Sequence, residues 1–535
     1  MNQMEGKRKR YTIISNMILL LNLLVLSMLL GEHGIGYLAG AFECFFLFLL
    51  LTVYSMPEAI AKLIRVRMQK GQGKNALRVF KTAVFIGIIY CVLGSIFFGF
   101  GADILLNTLL GTSYGAFTLR LFIPAYVLYV FVQIFRGYFQ GMGSAVPTGV
   151  SKIIEKIILF GTGILFCAMM KGYGEKVSAL LVNVEFTSSY ASAGMAIGFC
   201  LAELFAILFL IFVYETNKRN LRGGNKENFR MKEHFGEIMH IMVATMLPTV
   251  LCGFLGRVPI LGGMALYQHT TGLDISVGIG VCGAFYGKYL TIVLLFIMLI
   301  KLSLISLEGQ IQNAYRKDEY KYGRERLSWG VHYIMILGSF FTVLLTVLGK
   351  TLMEALFAGD SGPAGNMFVC GSTIVLFMAL SLFFIELLIG QGRIKLVFLN
   401  LLLGVVVFFL YAGISTKVAH AGFDGIVVGL CISWFVITCG CGFVCVKTLR
   451  WNVEWVYLFA IPVGCAALSG IIMMLLNKVF VSIVGEGLSV LICLIVGFFL
   501  YYILLMALRG IHREEFEIIP GGRLWRKFAE IINLL

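Results

Sequence analysis

Six of the ionisable side chains inside the long apolar segments of this 535-residue sequence could take part in chemistry. An ionised group at the centre of a membrane helix costs about 2.5–3.5 kcal/mol on insertion scales, so each requires a polar partner or a function. Cationic side chains at such positions can bind phosphate groups, and carboxylates can bind cations or pair with basic side chains. The six residues are Glu43, Arg120, Glu203, Arg257, Lys288 and Glu386.

Four of these residues are candidates for binding substrate in a central cavity. Lys288 lies so deep in its apolar segment that its side chain cannot easily reach the outer surface. Arg257 could line a cavity or could end its helix in outer water, and Arg120 lies beside a segment boundary, where anchoring is favoured. Glu43, one or two turns into its segment, is expected to face a cation.

Several other charged residues have simpler interpretations. Glu203 is expected to pair within its own half of the chain. A group of residues flanks a predicted cytoplasmic turn, and we expect them to anchor its topology. They are Arg136, Lys152, Glu155 and Lys156.

No motif of a known enzyme class is present in the sequence. It contains no P-loop, HExxH, GxSxG or DxD pattern. Most of the 13 cysteines lie in apolar segments and none forms a CxxC pair, which favours core packing over metal binding. We therefore predict a protein that is not an enzyme, with no catalytic residue, no metal site and no cofactor.

The segments that carry these residues are predicted to be membrane helices. Hydrophobic residues make up 59% of the chain and charged residues 13%, about half the fraction usual in soluble proteins. A soluble enzyme, a disordered protein and a secreted disulfide scaffold are excluded. Runs of about 20 apolar residues can cross a hydrocarbon core, and the sequence has fourteen. They are 11–31, 37–60, 80–101, 117–140, 149–170, 190–214, 237–262, 279–304, 329–350, 367–391, 394–413, 421–447, 456–477 and 482–507.

Lysine and arginine are concentrated in alternate loops. Of the 43 basic residues, 35 lie in the set of loops that includes both ends of the chain. The positive-inside rule then predicts a multi-pass membrane protein with both termini in the cytoplasm. The same distribution accounts for most of the net charge of +15, so we predict no nucleic-acid partner.

A weak internal repeat indicates two related halves. Segments 55–82 and 302–329 share a layout of helix end, basic loop and new helix, about 248 residues apart. We predict an all-α fold of about 14 transmembrane helices in two pseudo-symmetric six-helix lobes, with two extra C-terminal helices. Related lobes around a central site are typical of alternating access. The predicted divisions are lobes at 1–232 and 233–454, two further spans at 455–508 and a cytoplasmic amphipathic tail at 509–535.

The segment 119–158 resembles a known exporter family. It has Pro124, then Arg-Gly-Tyr-Phe-Gln-Gly at 136–141, then Pro-Thr at 147–148 and Ser151 ahead of Ile-Ile-Glu. This order is similar to the polysaccharide-biosynthesis and stage V sporulation protein B-like exporters, relatives of the lipid II flippase MurJ in the multidrug/oligosaccharidyl-lipid/polysaccharide exporter superfamily. Weaker resemblances occur at Gly31–Tyr37, Pro57–Lys62 and Arg513–Gly522.

The resemblance implies a flippase that moves a polyprenyl-pyrophosphate-linked saccharide across the membrane by alternating access. Its partners would be that lipid-linked substrate and membrane lipids, with a coupling ion left open, and we expect a monomer. Cationic residues suit pyrophosphate because they offset the desolvation of its charges. We predict that Lys288 and Arg257 form one cationic wall facing Glu43 across the lobe interface.

Three other functions stay open at this point. A cation-coupled multidrug exporter would need acidic cavity residues, for which Glu43 and Glu203 are candidates. A membrane glycosyltransferase or ligase would need a large outer loop with acid and base residues, and the predicted outer loops are short. A non-transporting paralogue is favoured by two departures from the family pattern, at Phe254–Pro259 and Leu290–Leu295.

Overall fold

The computed structural model of this protein describes residues 2–222, 233–357 and 361–511. These residues form helices joined by short turns, and no strand occurs among them. The predicted amphipathic tail after 511, including Arg513–Gly522, lies outside the described residues. So do residues 223–232, at the end of the first predicted lobe.

The chain divides into two compact units, Met1–Gly287 and Lys288–Leu535. The unit boundary falls within the eighth predicted span, inside a π-helical segment at Ala284–Leu290. The predicted lobes, divided at 232, stay a prediction. The helices of the first unit are α1 (Asn2–Thr52), α2 (Met56–Gln69), α3 (Gly73–Leu110), α4 (Ala116–Gly141), α5 (Val146–Leu181), α6 (Glu185–Arg222), α7 (Phe235–Thr270) and α8 (Ile275–Gly283).

The second unit is also helical, and α10 lies at its centre, packed against α9, α12, α15 and α16. The hydroxyl of Tyr501 on α16 donates to the carbonyl of Ile336 on α10, which joins one of the two extra helices to the unit. Its helices are α9 (Thr291–Arg316), α10 (Tyr320–Leu356), α11 (Ala364–Gly371), α12 (Ile374–Gly390), α13 (Ile394–Lys417), α14 (Gly422–Leu449), α15 (Ile461–Val484) and α16 (Glu486–Ala507), with a π-helical segment at Val456–Ala460.

The membrane spans agree with the sequence prediction. Among the described residues, twelve segments are long and apolar enough to cross a membrane, and α11 with α12 makes a thirteenth that is bent by 60°. The first segment, Gly6–Gln69, contains two predicted spans and is kinked at Gly31, whose φ of 69° is readily adopted only by glycine. Counting it as two gives fourteen, and the prediction of an all-α polytopic membrane protein is confirmed.

One predicted loop is instead largely helical. The stretch 61–81 was expected to be a basic loop, but α2 continues to Gln69. Its apolar side, including Ile60 and Ile64, packs on Gly137 and Gly141 of α4, where a larger residue would overlap the isoleucine side chains. Burial of this face stabilises a helix that the run of basic residues concealed.

Helices α5 and α6 of the first unit pack closely together. A Cβ atom at Gly198 of α6 would lie 2.7 Å from backbone atoms of Gly163 on α5. The hydroxyl of Thr162 donates to the carbonyl of Gly198 at 3.2 Å across the same contact. This contact fixes the antiparallel register of the two helices and so places the charged residues of the first half of α5 beside those of the second half of α6.

Candidate functional site

The predicted residues Glu43 and Arg257 form an ion pair between α1 and α7. The Arg257 Nε donates to Glu43 Oε2 at 2.9 Å, and Nη2 donates to Oε1 in a second, shorter contact. Glu43 is fully buried, whereas the Arg257 side chain is 20% exposed. The structure therefore brings these two together as a bidentate pair and leaves the guanidinium partly accessible.

Two aromatic residues complete the surroundings of Arg257. Its Nη2 also donates to the Tyr286 hydroxyl at 3.4 Å, and its guanidinium carbon lies 5.3 Å from the centre of the Phe46 ring. Tyr286 is carried by the π-helical segment that follows α8. The sequence does not distinguish Tyr286 or Phe46 from other residues, because buried aromatic residues are common in any membrane helix.

The position of Tyr286 depends on close packing of α8 against α1. A Cβ at Gly36 would lie 2.2 Å from the carbonyl oxygen of Ile279, and one at Gly283 would lie 1.8 Å from that of Glu32. Only glycine permits this approach. The two helix backbones therefore touch, and the residues after α8 are held beside the face of α1 that carries Glu43.

Lys288 belongs to the second unit and is buried, with 5% of its surface exposed. Its Nζ lies 4.5 Å from the centre of the Phe357 ring, a cation–π contact. The side chain is therefore enclosed by protein. Its predicted place in one cationic wall with Arg257 stays a prediction.

Arg120 pairs with a different carboxylate, that of Asp103 on α3. Its Nε also donates to the carbonyl of Gly99 at 3.3 Å. The Arg120 and Asp103 side chains are 44% and 50% exposed. This placement corresponds to the anchoring interpretation of Arg120, and the cavity role stays a prediction without a contact to support it.

Two of the four residues expected to anchor the turn between α4 and α5 are buried. Arg136 and Glu155 are each 2% exposed; Arg136 donates to Glu155 Oε2 at 2.7 Å and to the Ser151 hydroxyl at 2.9 Å. Lys156 donates to Glu155 Oε1 at 2.5 Å. Arg136 and Glu155 are thus enclosed in the helix bundle, and the anchoring role expected for the four residues stays a prediction.

Glu203 lies in the same cluster. It is fully buried on α6, and its carboxyl group faces those of Glu155 and the cations Arg136 and Lys156. From the sequence, Glu203 was expected to pair within its own half of the chain. For Arg136, Glu155 and Lys156, the sequence signal was the family motif in 119–158.

A third ion pair lies at the beginning of α7. Arg67 of α2 is buried and donates to Glu233 Oε2 from Nε at 2.8 Å and from Nη2 at 2.5 Å, and Arg78 donates to the Glu233 carbonyl at 3.1 Å. Arg257 is 22 residues beyond Phe235, about 33 Å along the helix. Thus α7 is held by an ion pair at its N-terminal end and by another far along its length.

Glu386, the remaining carboxylate among the six residues named from the sequence, is paired within the second unit. It accepts from Lys301 Nζ at 2.6 Å, between α12 and α9. Within the ranges that the structure describes, no three His, Cys, Asp or Glu side chains converge as a metal site would require, and the cysteines are free thiols.

Comparison with known proteins agrees with the motif in α4 and α5. Residues 11–258 match the sequence model of a family described as polysaccharide biosynthesis protein. Stage V sporulation protein B of Bacillus subtilis (strain 168) is 23% identical over 365 residues, which are 66% of this chain and 65% of that protein. The uncharacterized membrane protein YabM of the same organism is 23% identical over 367 residues, 68% of this chain and 65% of its own length. The matches thus span slightly under two thirds of each relative.

Solved structures with a similar fold cover most of the chain. An inward-facing multidrug resistance MATE family transporter of the MOP superfamily superposes with a TM-score of 0.67 at 13% identity, over 84% of this chain and 99% of that one. Lipid II flippase MurJ in an inward closed conformation gives 0.63 at 15%, over 93% and 97%. The chain has the MOP transporter fold. The family resemblance inferred from the sequence is confirmed.

The matched family region coincides with the site in the first unit of this MOP fold. It begins within α1 and ends one residue after Arg257, so it includes the Glu43–Arg257 pair and the buried cluster around Glu155. Lys288 lies outside it. A further MOP superfamily transporter, from Pyrococcus furiosus, has a reported reverse polarity of its binding pocket and superposes with a TM-score of 0.56 at 14% identity, over 83% of this chain and 97% of that one.

Proposed function

We propose that this protein is a flippase that moves a polyprenyl-pyrophosphate-linked saccharide across the bacterial plasma membrane by alternating access. The observation that carries the proposal is the partly accessible guanidinium of Arg257, inside the region that matches the polysaccharide biosynthesis family. A planar guanidinium can bind phosphate oxygens in the same bidentate manner in which it binds Glu43.

In the proposed transport cycle, the Glu43–Arg257 ion pair must break before the cavity opens. Separating the two leaves a fully buried carboxylate without its partner, which costs about 3–5 kcal/mol. A pyrophosphate can offset that cost by binding the guanidinium of Arg257 in place of Glu43. A neutral headgroup cannot. In this proposal the substrate's own charge releases the pair, and Lys288 is a second phosphate-binding cation in the second unit.

The energy source follows from the charge of the proposed substrate. An inside-negative membrane potential contributes about 2.3 kcal/mol per elementary charge per 100 mV, and it drives anions outward. The chain contains no ATP-binding motif. Outward movement of an anionic lipid headgroup therefore has a driving force that does not require ATP.

Transport in proteoliposomes tests this proposal directly. The probe is a labelled polyprenyl-pyrophosphate-linked disaccharide, and the readout is the fraction of headgroups that reach a membrane-impermeant reagent on the other side. We expect Arg257→Lys and Lys288→Ala to slow transport about tenfold or more, since 1.4 kcal/mol of lost binding is tenfold. Glu43→Gln should retain binding of the probe but impair the transport cycle.

The matched control is Arg120→Ala, because Arg120 is also a membrane arginine paired with a carboxylate but is exposed. It should transport normally. Equal loss in Arg120→Ala and Arg257→Lys would contradict a specific role for Arg257.

A cation-coupled exporter of small drugs is the second candidate, and the buried Glu203 and the similarity to MATE transporters favour it. Proteoliposomes that move a cationic dye and not the lipid-linked saccharide would establish it. Proteoliposomes that move neither would favour a non-transporting paralogue.

The proposed orientation has its own test. Reporter fusions after residues 70 and 320 should lie in the cytoplasm, and fusions after 108 and 270 should lie outside, because lysine and arginine are concentrated in alternate loops. If the fusions after 70 and 320 lay outside, or those after 108 and 270 lay in the cytoplasm, part of the chain would have the inverse orientation. That result would contradict the proposed direction of transport.

A further inference from the structure

Glu203 is a buried carboxyl group without an evident donor. Its side chain is 0% exposed, and neither of its carboxyl oxygens has a hydrogen-bond donor among the residues that the structure describes. A buried carboxylate that lacks both a paired charge and a donor is very unfavourable, and such a group normally becomes neutral. The proposed transport mechanism assigns it no role.

The groups that face Glu203 come from three helices. From α5 they are the Glu155 carboxyl and the Lys156 ammonium, and from α4 the Arg136 guanidinium. The Lys156 ammonium also lies 5.1 Å from the centre of the Phe199 ring, one helical turn before Glu203 on α6. Further titratable groups nearby are Tyr129 of α4 and Cys200 of α6, and Lys152 of α5 interacts with Arg136 and Glu155.

The two cations are already bound to the other carboxylate. Arg136 donates to one oxygen of Glu155 and Lys156 donates to the other, so Glu155 is the ionised member of the cluster. The carboxyl group of Glu203 faces that of Glu155. Ionised carboxylates only accept hydrogen bonds, so a bond between two carboxyl groups requires a proton on one of them.

We propose that Glu203 carries a proton in this conformation and shares it with Glu155, so that α4, α5 and α6 enclose a proton-binding site. Release of that proton changes the summed charge of Arg136, Glu155, Lys156 and Glu203 from +1 to 0. Release of the proton becomes favourable when the Lys156 ammonium moves from Glu155 to Glu203. The proposal does not depend on the identity of the transported substrate.

Because α5 and α6 are packed closely, Lys156 can move from Glu155 to Glu203 by rotation of its side chain, without movement of the helices. The contact between Gly163 and Gly198 holds α5 and α6 together just outward of the cluster. On the cytoplasmic side of α5, Lys152 donates to the Thr12 hydroxyl of α1 at 2.9 Å and is therefore engaged elsewhere. Lys156, with 13% of its side chain exposed, is the cation placed to move between the two carboxyl groups.

Infrared spectroscopy of the purified full-length protein tests the site, because a protonated carboxyl group has a carbonyl stretch that a carboxylate lacks. We expect this band in the wild-type protein at neutral pH and its loss in Glu203→Gln. The matched control is Glu185→Gln, which removes a partly exposed carboxylate at the other end of α6 that accepts from Tyr37 at 2.5 Å. It should retain the band.

Glu155→Gln gives the sharper test. Without Glu155, Arg136 and Lys156 have no carboxylate partner except Glu203, so Glu203 should lose its proton and the band should disappear although Glu203 is intact. A purely structural role for Glu203 does not predict this effect.

Two results would overturn the proposal. One is the absence of the band from the folded wild-type protein at neutral pH, which is decisive even if a variant fails to fold. The other is an unchanged band in Glu203→Gln.

Discussion

Two carboxyl groups of the first unit, Glu43 and Glu203, are equally buried but are accommodated in opposite ways. Glu43 receives two hydrogen bonds from Arg257, whereas Glu203 has no cation of its own, because the nearest two are bound to Glu155. Burial alone therefore does not decide the state of an intramembrane acid. That state depends on how many cations the neighbouring helices bring to the acid, and this difference separates the paired Glu43 from the proposed proton site at Glu203.

The paired carboxylates form a graded series that can test this comparison. The carboxylate side chain is 0% exposed in Glu43, 30% in Glu233 and 50% in Asp103, and each is bound by one arginine. Removal of the arginine should cost less as exposure increases, because water replaces the lost partner more easily.

The largest effect is expected from Arg257→Ala. It leaves Glu43 buried and unpaired, so the free energy of unfolding should fall by about 3–5 kcal/mol. Denaturant unfolding in detergent measures this loss. The double variant with Glu43→Gln should recover most of it, since the uncompensated charge is then absent. A loss no larger than that of Arg120→Ala would show that the pair does not stabilise the fold.

Arg67→Ala should have the next largest effect. Its guanidinium makes two hydrogen bonds to the carboxylate of Glu233, and we expect a loss of about 1.5–3 kcal/mol in the free energy of unfolding. The comparison variant is Arg78→Ala, whose side chain donates to the Glu233 carbonyl and not to its carboxylate. If both variants lose the same amount, the ion pair itself is not the source of the stability.

Gly198→Ala tests the geometry around Glu203. The new methyl group would overlap the backbone of Gly163, so we expect a loss of about 1–3 kcal/mol and separation of α5 from α6. Gly161→Ala is the matched control, because a Cβ there meets nothing within 4 Å. Thermal unfolding should distinguish the two, and equal midpoints would contradict the close contact.

The smallest effect is expected from Arg120→Ala. Its ion pair with Asp103 is exposed, and exposed pairs contribute about 0.2–1 kcal/mol. A loss in the free energy of unfolding as large as that of Arg67→Ala would break the relation between burial and cost on which the comparison rests.

The sequence predicted the spans well because their signal is local. A run of about 20 apolar residues is sufficient to cross a bilayer whatever it packs against. The exceptions have tertiary causes: α2 was hidden in a basic stretch, and α11 and α12 form one span with a 60° bend. Glu43 was expected to face a cation, and its carboxylate is bound by Arg257.

Only the tertiary structure decided which charges meet. Glu43 and Arg257 are 214 residues apart in the chain, and their contact depends on how α7 packs against α1. Arg136 and Glu155 looked like turn anchors because hydropathy gives the depth of a residue in the membrane but not the direction of its side chain. The sequence determined the number of spans and the identity of the intramembrane charges. Helix packing determined that Glu43 is paired and that no cation is left for Glu203 alone, because the distance between two side chains depends on all the helices between them.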